Sequence, residues 1–323
     1  MCLLQAACER LSVISNAQLL ANAVLAPYTR FAIGGPAALL FDTDNEAALL
    51  EALRIVAGLK VAHVLIGGGT NLVVSDNGFH GVVLRYRGAA IRQDECLLRV
   101  EAGAVLQDIV DHSMDLGLQG LQTMTGIPGY LGGAVYGNAG AYGHSIQEIV
   151  QKVRFFNGEE VVAIGNEACK FRYRTSVFKE NRNWIILSAE LEFSKYDPAD
   201  LRKTADEIRA IRDAKYPPAM RCAGSIFKNL LVAELPPGVP DQIPKAVIRE
   251  GKIPSAWFLE QVGAKGMRRG DIQVATYHAN LIYNDGAGRA ADLVSVIQEL
   301  KSRVRDGFGL ELEEEVQYVG FDS

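Results

Sequence analysis

The chain is poor in cysteine, in long apolar runs and in clustered charge. Its five cysteines, Cys2, Cys8, Cys96, Cys169 and Cys222, are scattered and show no Cys-x-x-Cys spacing. That removes the usual signature of a zinc site or a disulfide scaffold, so no metal site and reduced cytoplasmic thiols are expected. No apolar run approaches the ~18 residues of a membrane helix, so no membrane association is expected. The opening MCLLQAACERL lacks a basic region and carries Glu9 early, so no export signal is expected either. The net charge of −5 is spread without a block of five like charges, which argues against nucleic acid as a partner. Tandem repeats and low-complexity segments are missing. So are G-x-G-x-x-G, a Gly-Lys-Ser/Thr phosphate loop and a G-x-S-x-G elbow, which sets aside Rossmann, P-loop and α/β-hydrolase readings. What remains is ordinary globular composition, 49% hydrophobic and 22% charged. It supports about two or three domains.

Glycine is plentiful, and it is placed. Residues 61–66 read as a buried strand, followed by Gly67, Gly68 and Gly69, then Thr70 and Asn71. Glycines after a strand let the backbone turn tightly and approach a ligand, and successive N–H groups there make an anion site suited to a pyrophosphate. Leu72-Val73-Val74 continues as a short strand, so the N–H groups, not a helix dipole, would hold the phosphates. A plain tight turn explains GGGTN equally well. A second dense stretch, residues 121–143, reads LQTMTGIPGYLGGAVYGNAGAYG. Its glycine content disfavours a helix or strand interior, and the interleaved Ile127, Leu131, Val135 and Tyr136 indicate burial. Two glycine sites in one domain favour an extended ligand with a diphosphate and a ring system, such as a dinucleotide.

Residues 1–26 read as a helical lead-in. Thr43 to Glu46 reads as a capping box for a helix with Leu49, Leu50, Leu53, Val56 and Ala57 on one face, so residues 39–66 form a β-α-β unit. Strands are expected at 81–86, 96–101, 149–156, 161–164 and 184–193, and helices at 105–116, 254–262 and 289–308. Asp197-Pro198 starts another helix, with Leu201, Ile208 and Ile211 inward. A domain boundary is expected near 195–220. Residues 276–284 read as a strand carrying His278, and a lone histidine there is more often structural. Residues 310–320 read as a strand whose alternation sends Glu311, Glu313 and Glu315 to one side and Glu314 to the other. In FRYRTSVFK, either arginine alone reads as a solvated edge.

Taken together, TRFAIGGPA, GGGTNLVVSDNGFHG, TGIPGYLGGAVYGNAGAYG, YRTSVFK, AGSIFKN, PSAWFLEQVGAKG, HANLIYN and FGLELEEEV resemble, in order, the motifs of the UDP-N-acetylenolpyruvoylglucosamine reductases. The resemblance runs from Tyr28 to Gly320. It implies an α+β chain with a short lead-in over 1–22 and an FAD-binding domain of the vanillyl-alcohol oxidase or p-cresol methylhydroxylase type over 23–195. A C-terminal α+β substrate-binding domain would follow over 196–323. It implies non-covalent FAD, NADPH as hydride donor, and reduction of an enolpyruvyl ether, with hydride reaching C3 and a proton reaching C2. Ser225 matches the proton donor, Arg174 the active-site arginine, and Glu315 the family's glutamate, as a neutral acid or polarised by Arg174. Cofactor contacts fall on Gly67, Gly68, Gly69, Thr70, Asn71, Thr125, Gly126, Ile127, Pro128, Gly132, Gly133, Asn138 and Ala139. Tyr173, Lys215, Asn229, Lys265 and His278 align with substrate or nicotinamide contacts, and the lysines suit a diphosphate.

The implied partner is the small-molecule substrate UDP-N-acetylenolpyruvoylglucosamine, bound by a cytoplasmic monomer. Glu314 stands where the family has proline, a change expected to loosen that strand. The short interval from Arg174 to Ser225 matches the form without an extra tyrosine-bearing loop. Two other classes stay open: an alcohol or sugar oxidase of the same FAD fold, and a non-catalytic nucleotide-binding module.

Overall fold

The computed structural model describes residues 3–240 and 243–321. The chain opens with α1 (Leu3–Leu11), β1 (Ala17–Val24), β2 (Pro36–Thr43), α2 (Glu46–Gly58) and β3 (His63–Ile66). Next come β4 (Leu72–Val74), β5 (Phe79–Tyr86), β6 (Ile91–Asp94), β7 (Leu97–Glu101), α3 (Leu106–Asp115) and α4 (Leu131–Tyr136). The middle holds β8 (Val150–Phe156), β9 (Val161–Gly165), α5 (Val177–Glu180), β10 (Ile185–Glu192) and α6 (Pro198–Lys215). The last third adds β11 (Arg221–Ser225), α7 (Ser255–Gln261), β12 (Arg268–Arg269), β13 (Ile272–Val274), β14 (Leu281–Asn284), α8 (Ala290–Phe308) and β15 (Gln317–Val319). Among the described residues no helix is long and apolar enough to cross a membrane.

Two compact units divide the chain. The first comprises Met1–Ala23, Ala37–Gly69 and Phe79–Pro217; the second comprises Val24–Pro36, Thr70–Gly78 and Pro218–Ser323. In the first, one sheet runs β1-β2-β5-β3, and β5 lies parallel to both β2 and β3. The expected β-α-β unit is therefore present with β5 inserted between its strands. A second, antiparallel sheet runs β9-β8-β10-β7-β6. α6 belongs to this unit because Leu201 and Ala205 sit in its core, whereas the expected boundary at 195/196 puts that helix with the C-terminal part.

The second unit has an antiparallel sheet, β11-β14-β13-β12, and a parallel pair, β15-β4. Two excursions from the N-terminal half join it, since Phe31, Ile33 and Val73 share a core with Phe227, Phe258 and Leu300. Each fully buried Phe contributes roughly 1.5–3 kcal/mol, enough to fix where these segments go. The face of α8 is as the periodicity predicts: Leu293, Val296, Ile297, Leu300 and Val304 are buried, and Gly309 closes the helix at φ 67°.

Several local expectations are corrected. The lead-in is helical only over Leu3–Leu11; Ala17–Val24 is a strand beside β2, because pairing outweighs the helix propensity of AQLLANAV. Helix α2 is capped by Asn45, whose side chain accepts from Ala48 N, not by Thr43. Thr43 is still paired with Tyr86 in the sheet, so the helix cannot begin there. The buried stripe of α2 turns toward Ala48, Ala52 and Ile55 and leaves Ala57 exposed. On α6, Ala205 is buried and Ile211 is exposed. Residues 131–136 form a short helix despite Gly132 and Gly133; a Cβ on Gly132 would lie 3.1 Å from Ala102 Cβ, a contact tight enough that a neighbour would have to shift. His278 precedes the strand it was expected to occupy, and only Gln317–Val319 of 310–320 is continuous strand.

The start of α8 is capped from far away in sequence. The Asp76 carboxylate accepts from Ala290 N at 2.8 Å and Ala291 N at 3.0 Å. Asp76→Ala is expected to lower stability by about 1–2 kcal/mol, read as a fall in melting temperature. An unchanged melting curve would contradict this assignment of the cap.

Candidate active site

In the first unit the two glycine motifs meet. A Cβ on Gly68 would lie 3.3 Å from Gly129 Cα, and one on Gly67 would lie 3.5 Å from the Tyr130 ring. Gly69 has φ 63° and Gly126 φ 74°, conformations that L side chains adopt at a cost. Tyr130 is held in turn, its hydroxyl accepting from Arg85 at 2.9 Å.

Around Gly126 stand residues the sequence reading missed. Gln107 accepts from Gly126 N at 2.6 Å, Arg209 donates to Gln107 at 3.2 Å, and Arg212 donates to the Gly126 carbonyl at 3.4 Å. The Nε of Arg212 is buried with no hydrogen-bond partner among the described residues. Burial pulls this guanidinium below its ordinary range, and nearby Tyr142 and Tyr216 act against that. Glycine amides, a tight backbone approach and two guanidiniums fit a diphosphate-bearing cofactor. The i, i+3 spacing of Arg209 and Arg212 on a helix was the signal available in the sequence.

The YRTS segment docks on the glycine-rich stretch of the same unit. Ser176 donates to the Tyr136 carbonyl at 2.7 Å, and Arg174 donates to the Gly140 carbonyl at 3.2 Å. Arg174 has φ 55°, a strained conformation for a non-glycine residue, and its own carbonyl accepts from Lys179 at 3.1 Å. Its guanidinium lies 5.3 Å from the Tyr173 ring centroid. Arg172 instead points to solvent and pairs with Glu180 at 2.6 Å, which separates the two arginines. Asn138 spends its side-chain amide on Gln147 and the Arg172 carbonyl, leaving main chain as its route to a cofactor. Lys215 closes α6 with its ammonium 5.0 Å from the Tyr216 ring centroid.

Ser225 and Glu315 lie on the second unit, and main chain sets their relation. Strand β11 pairs with β14 through a register shift between Cys222 and Ser225, with Gly224 at φ 76°. Such a bulge re-aims the side chain that follows it. Ile226 N donates to the Asn280 carbonyl at 3.1 Å, and the Asn280 side chain both accepts from Phe227 N at 2.9 Å and donates to Phe227 O at 2.8 Å. On the other side, Glu315 N donates to the Ile226 carbonyl at 2.7 Å, and Lys228 N donates to the Glu313 carbonyl at 2.9 Å. Asn71 completes the arrangement by donating to the Glu315 carbonyl at 2.8 Å. Lys265 is paired with Glu260 at 3.0 Å, Asn229 follows the Lys228 pairing, and the His278 carbonyl accepts from Leu281 N.

A family model for the C-terminal domain of UDP-N-acetylenolpyruvoylglucosamine reductase matches residues 216–319, and an FAD binding domain model matches residues 37–164. A Solibacter usitatus UDP-N-acetylenolpyruvoylglucosamine reductase is 53% identical over 96% of this chain and 100% of its own length. One from Rubrobacter xylanophilus is 36% identical over 91% of this chain and 92% of its own. The chain belongs to this reductase family. The crystal structure of the Thermus caldophilus enzyme superposes with TM-score 0.73 at 26% identity, covering 94% of this chain and 98% of that one. The expected α+β fold, an FAD-binding domain followed by a C-terminal domain, is borne out.

Within this family frame, Glu314 is held where proline was expected to be replaced by something looser. Its carboxylate takes Lys301 at 2.9 and 3.0 Å, and its backbone bridges to Phe227. Glu311 and Glu313 pair with Arg305 and Lys228. Among the described residues no His/Cys/Asp/Glu cluster has the make-up of a metal site. Cys8, Cys96, Cys169 and Cys222 carry free thiols, and burial pushes the Cys169 thiol up to about 11; Cys2 lies outside the described residues.

Gly126→Ala tests the cofactor loop. A Cβ there would lie 3.2 Å from Arg212 Nε on a backbone at positive φ, a strain of about 1–2 kcal/mol. A lower melting temperature and a lower flavin-to-protein absorbance ratio are expected. Wild-type values for both would contradict the proposed geometry.

Proposed function

We propose that the chain reduces the enolpyruvyl ether of UDP-N-acetylenolpyruvoylglucosamine to UDP-N-acetylmuramate, with NADPH as donor and FAD as mediator, in peptidoglycan precursor synthesis. Full-length family membership supports the reaction class. The observation that carries the mechanism is the 2.7 Å hydrogen bond from Glu315 N to the carbonyl of Ile226, the residue after Ser225. It puts the main chain of residue 315 beside that of residue 226, which supports reading Ser225 and Glu315 together.

When bound, FAD would supply the two-electron hydride chemistry between NADPH and C3 of the enolpyruvyl group. Gly67, Gly68, Gly69, Thr70, Thr125, Gly126, Ile127 and Pro128 would hold it, and the charges of Arg209 and Arg212 near Gly126 would favour its diphosphate. The chain's own chemistry is proton placement. Ser225 Oγ gives its proton to C2 as negative charge develops there; the C=C bond is thereby saturated, and the serine is reprotonated from solvent. A hydroxyl is a weak acid, but carbanion or enolate character at C2 is basic enough to take its proton. Glu315 stabilises the same charge. Arg174 pairs with the substrate carboxylate and spreads charge over its guanidinium. Lys215 and Lys265 suit the substrate diphosphate, and Tyr173, Asn229 and His278 contact sugar or nicotinamide. We take the chain to act as a monomer in the cytoplasm.

Ser225→Ala is expected to be reduced by NADPH at close to the wild-type rate, as followed anaerobically by flavin absorbance. Reoxidation by the enolpyruvyl substrate should slow by about 10²–10⁴-fold. Equal loss in both half-reactions would overturn the assignment. Reoxidation of the wild type by oxygen alone would move the chain to the oxidase class.

A further inference from the structure

We propose that Asn71 is a positioning residue for Glu315, acting through the glutamate's main chain. This rests on the reading of Glu315 as a catalytic acid. The sequence groups Asn71 with the glycine loop and so with the cofactor. Its amide is committed elsewhere: Nδ2 donates to the Glu315 carbonyl at 2.8 Å, and the Asn71 carbonyl accepts from Gln317 N at 2.9 Å. Asn71 therefore grips residues 315 and 317 at once. Immediately beyond, β4 and β15 continue as a parallel pair, with Leu72 beside Gln317.

The consequence for Glu315 is specific. Its N–H is bound to Ile226 O, and its carbonyl is bound to Asn71. With both flanking peptide groups pinned, φ and ψ of residue 315 are fixed, and so is the direction of its Cα–Cβ bond. Glu314 adds a tether one residue earlier through Lys301. A side chain as long as glutamate amplifies a backbone error: a swing of about 15° at Cα moves the carboxyl by about 1 Å, a displacement that can cost about a hundredfold in rate. Asn71 is suited to this task because its side chain is short and its amide donates. Aspartate in its place would turn acceptor oxygens toward a carbonyl.

The test uses holoenzyme with Asn71→Ala, Asn71→Asp, Glu315→Gln and the Asn71→Ala/Glu315→Gln double variant. Three quantities are read: flavin-to-protein ratio, anaerobic flavin reduction by NADPH, and reoxidation by UDP-N-acetylenolpyruvoylglucosamine. Both Asn71 variants should keep wild-type flavin content and be reduced within about twofold of the wild-type rate, while reoxidation slows about tenfold or more. On the Glu315→Gln background, Asn71→Ala should add less than about twofold, because the group it aims is already gone. Should the alanine variant not fold, the isosteric aspartate carries the same comparison. Loss of flavin with normal reoxidation of the loaded fraction would make Asn71 a cofactor ligand and overturn the proposal. Additive losses in the double variant would overturn it too. Wild-type reoxidation of Glu315→Gln would sink the reading beneath it, and that result is visible without any Asn71 variant.

Discussion

One main-chain hydrogen bond, from Glu315 N to the Ile226 carbonyl, organises the second unit. It joins a segment near the C-terminus to the chain leaving β11, two pieces that local periodicity would never pair. Each side of the joint is then reinforced. Asn280, 2% exposed, uses its amide as a substitute strand partner for Phe227 and donates to buried Ser255 at 2.7 Å. Asn71 closes the far edge on the Glu315 carbonyl. Buried amides of this kind are costly unless every donor and acceptor is satisfied, and satisfied ones specify a single arrangement. The ladder Asn280, Ile226-Phe227, Glu313–Glu315, Asn71 is thus a means of fixing where two side chains emerge.

The first unit solves a different problem, the close approach of backbone to a flat, charged cofactor. Glycine gives close contacts at Gly68 and Gly132 and positive φ at Gly69 and Gly126. Cations arrive from α6, whose Arg209 and Arg212 reach the Gly126 turn. Burial makes the Arg212 charge costly, which fits a group waiting for an anion. Arg174 is held beside the same glycine-rich stretch by Gly140 and Lys179, at a backbone angle that only surrounding contacts maintain.

What was legible in the sequence follows from this difference. Requirements on glycine are local, so GGGTN and GIPG stand out in the sequence, and the two stretches meet at Gly68 and Gly129. The apolar register of α8 was legible for the same reason. Glu315 was not, because four carboxylates in five residues look alike in the sequence, and its main-chain bond to Ile226 joins segments far apart in the chain. Asn280 and Asn71 were opaque in another way: their partners lie far along the chain, and nothing nearby marks an amide as a strand substitute. Ala17–Val24 and Thr43 misled because pairing with a distant strand outweighs local helix signals. Ser225 was legible only through the motif that surrounds it, since its bulge depends on pairing with β14.

Residue-resolved hydrogen exchange of the holoenzyme tests the ladder most directly. The Glu315 amide should exchange only with the opening of the whole second unit, within about tenfold of Ile282 and Tyr283 in β14. Exchange of that amide at the rate of an open loop, with β14 still protected, would contradict the account.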